Sequence, residues 1–133
     1  MGQTYSVYLA IKFKDIDGAT QALKDRIARA KDDRVNYSLE HIAELGKDMD
    51  CLLDLLTIFY GGWDCELAIN QQPNGFVEYS SGFDASYGWE WVMMTAFEDI
   101  APFLENESSL IIYPDSGRDQ GIVKNGKVKW IQR

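Results

Sequence analysis

Positive charge is nearly absent from the middle of this chain. Residues 35–115 carry 15 acidic side chains and one base, Lys47. A surface that tracks a phosphate backbone needs clustered lysine and arginine. Direct nucleic-acid binding is therefore disfavoured everywhere but at the termini, where residues 1–34 sum to +2 and residues 116–133 to +4. Histidine is as scarce: His41 is the only one. With Cys51 and Cys65 it cannot complete a zinc site, and no Cys-x-x-Cys pair occurs. Both cysteines read as small buried apolar residues without a disulfide. No glycine-rich phosphate loop or dinucleotide fingerprint is present. No run approaches the roughly 20 apolar residues of a membrane-spanning helix. The first residues, Met1 to Tyr5, lack the basic start and apolar stretch of a signal peptide, so a cytoplasmic protein is expected.

What is present describes an ordinary folded domain. Apolar residues make up 46% of the 133, charged residues 26% and aromatics 13%. Disordered chains are poor in aromatics, so disorder is excluded. The length suits a single domain over residues 1–133. The net charge is −8, and almost all of the imbalance lies in the central segment. Such a field speeds and orients encounter with a basic partner.

Hydrophobic spacing gives the elements. Tyr5, Val7, Leu9, Ile11 and Phe13 alternate with smaller or polar residues, as in a strand with one face on a core. Asp15 or Asp17 caps a following helix whose inward stripe is Leu23, Ile27 and Ala30. Ile42, Leu45, Met49, Leu53, Leu56 and Tyr60 predict a second helix from Ser38 to Tyr60, stopped by Gly61-Gly62. Cys65 to Ile69 and Phe76 to Tyr79 read as strands around a Gln72–Gly75 turn. Ser80–Ser86 reads as a small-residue loop, with Ser86 capping a third helix that Pro102 ends. Leu110–Tyr113 is a short strand. Asn125-Gly126 then joins two strand-like runs as a hairpin. The order is βααββαβββ: an α+β domain with a mostly antiparallel sheet of five to six strands and three helices on one face.

No catalytic motif stands out. Asp84-Ala85-Ser86-Tyr87-Gly88 lacks the first glycine of a nucleophile elbow. His41 with Glu40 and Glu44 reads as a solvated helix face. Asp115, Gly117 and Asp119 have Gly126 where a calcium loop requires glutamate. Asp48, Asp50 and Asp54 read as the wet side of the second helix. No catalytic residue, metal or cofactor is expected.

The third helix is different. At about 100° per residue, Trp89, Val92, Met93, Ala96, Phe97 and Ile100 form one arc. Tyr87, Trp91 and Met94 fall nearly opposite, with Glu98 among them. A helix apolar on two faces must be covered twice or leave large side chains in water. Aromatic groups rimmed by the carboxylates Glu90 and Asp99 suit a protein-binding surface, to which Trp63 adds. The alternatives are cover from the second helix and self-association.

Phe83 to Glu90, together with Asn125-Gly126-Lys127, resembles in style the small acidic proteins of phages and mobile elements. These include anti-CRISPR and anti-restriction inhibitors and toxin-immunity proteins. The resemblance covers about the last third of the chain and carries no functional residue with it. It implies a cofactor-free domain that blocks a partner's active or nucleic-acid-binding surface. The leading expectation is thus a non-enzymatic protein-binding module acting on a basic partner through Tyr87, Trp91, Met94, Glu90, Glu98 and Trp63. A small ligand-binding or hydrolase-like domain with Tyr60, Trp63, Asp64 and Glu66 near a cleft is one rival. A self-assembling structural subunit is the other.

Overall fold

A computed structural model describes residues 2–29, 46–63 and 65–131. Strand β1 (Gly2–Ile11) leads into helix α1 (Ile16–Ala28). Helix α2 (Leu52–Tyr60) is followed by β2 (Ala68–Gln71) and β3 (Val77–Ser86). Helix α3 (Trp89–Ile100) ends in a 3-10 turn at Ala101–Phe103, around the expected Pro102 break. Strands β4 (Ser109–Tyr113), β5 (Asp119–Lys124) and β6 (Lys127–Ile131) complete the described chain. The six strands form one sheet in the order β2-β3-β1-β4-β5-β6, antiparallel throughout. The fold is α+β, as the periodicity predicts.

β1 sits inside the sheet because its alternation suits burial on one face. Tyr5, Val7, Leu9 and Ile11 are buried and meet Leu23, Ile27, Leu55, Phe59, Val92, Met93 and Phe97 in one core. The other face carries Thr4, Ser6, Tyr8 and Ala10. Asp15 caps α1 by accepting a 2.9 Å hydrogen bond from the Gly18 N–H. Arg26 of α1 grips Asp99 of α3 with two N–H groups, at 2.6 and 3.0 Å. That planar, half-buried pair fixes one helix against the other. Between α2 and α3, the Trp89 indole N–H donates to the Phe59 carbonyl (2.9 Å) and the Tyr60 hydroxyl to the Met93 carbonyl (3.1 Å). Asn125 and Gly126 take φ of 53° and 78°, the left-handed pair that a two-residue hairpin demands.

Four local expectations fail for identifiable reasons. Of the helix expected from Ser38 to Tyr60, the described residues 46–51 are not helical and Leu52–Tyr60 are. Residues 38–45, with His41, Glu40 and Glu44, lie outside the described residues. Over 48–51 aspartates satisfy the backbone in place of helix bonds: Asp54 accepts from the Asp48 N–H, and Asp48 from the Asp50 N–H. Asp50 leaves the helix and pairs with Lys24. Second, Cys65 and Leu67 precede β2, because the Cys65 N–H is held by the Gly61 carbonyl in a turn. Third, Ser80–Ser86 is strand. Pairing with β1 from Gly2↔Ser86 to Ile11↔Val77 supplies ladder bonds that small side chains do not advertise. The N-cap position of α3 is Gly88, not Ser86, at a φ of 95° that suits glycine. Fourth, both cysteines are free, as expected, but only half-buried.

Gly61 marks the tightest approach in this region. A Cβ there would stand 2.1 Å from the Cys65 carbonyl oxygen. Gly61→Ala should therefore lower the unfolding free energy by about 2–4 kcal/mol in urea titration. Gly88→Ala meets open space and only a backbone penalty, so it should cost about 1–2 kcal/mol. Equal losses at the two positions would refute the steric reading.

Candidate protein-binding surface

The first residues of β1, the end of β3, the turn after β4 and the first turn of α3 meet at one end of the sheet. The Thr4 hydroxyl donates to Asp84 Oδ1 at 2.7 Å, and the Thr4 N–H to Asp115 Oδ1 at 3.3 Å. The Asp115 N–H returns a bond to Gln3 Oε1 at 3.3 Å. The Gln3 amide donates to the Tyr5 hydroxyl (2.8 Å) and to Glu90 Oε2 (3.2 Å), and the Tyr5 hydroxyl donates to Glu90 Oε1 (3.3 Å). Asp84, Glu90 and Asp115, distant in sequence, thus converge on Gln3, Thr4 and Tyr5. Gly2, Gln3, Thr4, Asp84 and Asp115 line a shallow cleft of about 310 Å³. Among the described residues, none of these three carboxylates is in an ion pair. The hydrogen bonds to Asp84, Glu90 and Asp115 leave acceptor capacity on each carboxylate, which arginine and lysine donors can fill.

Beside this end stands Tyr87, between β3 and α3 and 59% exposed. Tyr87 and Glu90 are therefore the two expected contact residues that the acidic end gathers. The others go elsewhere. Trp91 and Met94 are half-buried and pack against the core, so the second apolar arc of α3 is largely covered within the domain. Trp63 is half-buried at the end of α2 with a left-handed φ of 87°. Glu98 is exposed and accepts the Trp130 indole N–H at 3.0 Å, anchoring β6 to α3. Asp99, expected on the rim, is held by Arg26. Asp84 and Asp115 were legible only as fragments of other motifs. Their partnership needs the β1–β3 and β1–β4 registers, which no local spacing encodes.

Of the residues expected near a rival cleft, Tyr60, Trp63 and Glu66 are described. Tyr60 is fully buried with its hydroxyl committed to Met93. Asp64 lies outside the described residues, and Glu66 lines a cleft of about 280 Å³ with Lys47, Leu53, Asp54, Thr57, Leu67 and Ile69. A separate groove of about 530 Å³ runs beside the Gln72–Phe76 turn, bordered by Ala10, Glu78, Asn106 and Glu107. Among the described residues, no group of three or more histidine, cysteine, aspartate or glutamate side chains could hold a metal ion. No described helix is long and apolar enough to cross a membrane. Comparison with protein-family models, curated proteins and solved structures finds no match.

Tyr5 ties the acidic end to the core. Burial is the main cause that pushes its phenol above the ordinary value. The Gln3 hydrogen bond opposes that shift, and the negative charge of Glu90 adds to it. The folded protein therefore holds the phenolic proton more tightly than the unfolded chain does. This stabilisation is complete below pH of about 10, the unfolded tyrosine value, and is lost as pH rises through the higher folded value. Unfolding free energy should fall above pH of about 10, and less steeply in Tyr5→Phe. An identical alkaline slope in the variant would show that Tyr5 ionisation is not linked to folding.

Proposed function

We propose that this protein is a non-enzymatic protein-binding module, an acidic inhibitor or immunity-type protein that blocks a basic, nucleic-acid-binding surface of its partner. The observation that carries this reading is the convergence of Asp84, Glu90 and Asp115 beside the exposed Tyr87. Asp115 is held by the Thr4 backbone N–H, Asp84 by the Thr4 hydroxyl and Glu90 by the Gln3 and Tyr5 side chains, so little side-chain entropy is lost when a guanidinium or ammonium group arrives. They take the positions that phosphates would otherwise occupy on the partner. Tyr87 supplies the amphipathic anchor that such surfaces use, apolar in its ring and polar at its tip. The excess of acidic charge over the central segment steers the encounter over a distance set by salt.

The test is capture of partners from bacterial lysate at low and high salt, followed by titration with the purified captured protein. A basic protein should be retained at low salt and released at high salt. Asp84→Asn combined with Asp115→Asn should weaken its binding about 10- to 100-fold, and Tyr87→Ala about 10-fold. Retention indifferent to salt and to both variants would overturn the reading. It would then favour a ligand site in the groove beside Gln72–Phe76.

A further inference from the structure

Ala10 stands between Glu78 of β3 and Ser109 of β4, on the sheet face away from the core. Its small side chain leaves room for the groove of about 530 Å³ beside the Gln72–Phe76 turn. That volume is within the range of small-ligand sites. The turn forms one wall, and Asn106 and Glu107, before β4, form the other. Thr4 lies about 20 Å away along β1, at the rise of an extended strand, so the groove is separate from the acidic end. Its polar groups are only partly used. Asn74 Oδ1 accepts the Phe76 N–H at 3.1 Å, and Asn106 Oδ1 accepts the Asn125 N–H at 2.8 Å. With both oxygens held, the two amide NH2 groups are oriented donors, and neither has a partner among the described residues. Gln72 and Glu78 are half-buried, and their side chains bond nothing among the described residues. Sheltered polar groups left unpaired in this way are uncommon. Glu107 gives one oxygen to Lys124 and keeps the other.

We propose that this groove binds a neutral mono- or disaccharide. The charges around it balance. Glu107 is paired with Lys124, and the Lys12 ammonium lies over the turn, 3.2 Å from where a Cβ on Gly75 would stand. With Glu78 these make two anions and two cations, which favours neither sign of ligand. Hydrogen bonding then selects the chemistry. The unused groups are of both kinds: donors on Asn74, Asn106 and Gln72, and acceptors on Gln72, Glu78 and Glu107. A hydroxyl donates one bond and accepts two, so neighbouring hydroxyls of a sugar ring bridge a carboxylate and an amide NH2 group. An ammonium or guanidinium ligand has no acceptor for the two NH2 groups. A carboxylate or phosphate ligand has none of the donors that Glu78 and Glu107 need. Phe76 and Pro73 also line the groove and supply the apolar surface on which the C–H face of a sugar ring rests. The inference does not depend on the proposed inhibitor role.

Amide NMR shifts of the full chain test it. The probes are glucose, galactose, mannose, N-acetylglucosamine, maltose, cellobiose and lactose, each titrated to tens of millimolar. Agmatine and glutarate serve as cationic and anionic probes. At least one sugar should shift the amides of Gln72–Glu78 and Asn106–Glu107 saturably, and the two charged probes should not. Glu78→Ala should weaken that binding about 10-fold. Ala10→Leu, which fills the floor of the groove, should abolish it. Melting curves show that each variant folds, and if Ala10→Leu does not, Glu78→Ala decides. No saturable shift there with any of the sugars would overturn the proposal. So would a stronger response to agmatine or glutarate, or sugar binding that Glu78→Ala leaves unchanged.

Discussion

The pairing of β1 with β3 is the constraint on which the rest depends. Ten consecutive residues, Gly2 to Ile11, find partners from Ser86 back to Val77, while Ser6 to Ala10 also pair with β4. A strand bonded on both sides has no freedom to slip, because a shift of one residue would turn Tyr5, Val7, Leu9 and Ile11 out of the core. The register therefore fixes which residues of β3 and β4 look inward. Phe83 and Leu110 join the core, and Asp84 is turned to the opposite face.

The helical layer is then positioned by a few directional contacts laid over a large apolar interface. Arg26 and Asp99 set α1 against α3, and the Trp89 and Tyr60 side chains spend their polar atoms on backbone carbonyls of the neighbouring helix. Buried aromatic groups with a polar tip need such partners, so each is also a positional restraint. Trp130 extends the same logic to the far edge of the sheet. Its ring lies 6.2 Å from Phe97, and its indole bonds Glu98. These contacts explain why α3 can be apolar around much of its circumference without offering all of it to solvent.

The two faces of the sheet consequently have different chemistry. One is buried beneath the helices. The other carries Tyr8 and Tyr113 in ring contact, and Asp84 and Asp115 bonded to Thr4 at one end. Asp84 and Asp115 lie at the end of this second face, whereas Glu90 reaches Tyr5 from the helical side.

Much of the fold was legible in the sequence, because period and punctuation are local. The alternation from Tyr5 to Ile11, the Asp15 cap, the Pro102 break and the Asn125-Gly126 hairpin each rest on residues within a few positions of one another, and all stand in the structure. The Ser80–Ser86 strand was hidden, since serine and glycine have little strand preference of their own and the bonds that order them come from β1. The non-helical stretch before Leu52 was hidden too, because the Asp48 and Asp54 carboxylates take up the Asp50 and Asp48 backbone N–H groups there. Of the candidate site, Tyr87 and Glu90 could be found from their place beside a helix start. Asp84 and Asp115 could not be joined to them, being tied through Thr4 by strand pairing between distant segments. Local spacing thus determined the order of the elements, the inward stripe of β1 and α1 and the acidic character of the middle of the chain. Tertiary structure decided which carboxylates meet, which aromatics of α3 are covered and which sheet face the described helices pack against, because register and layer order arise only from contacts between residues far apart in the chain.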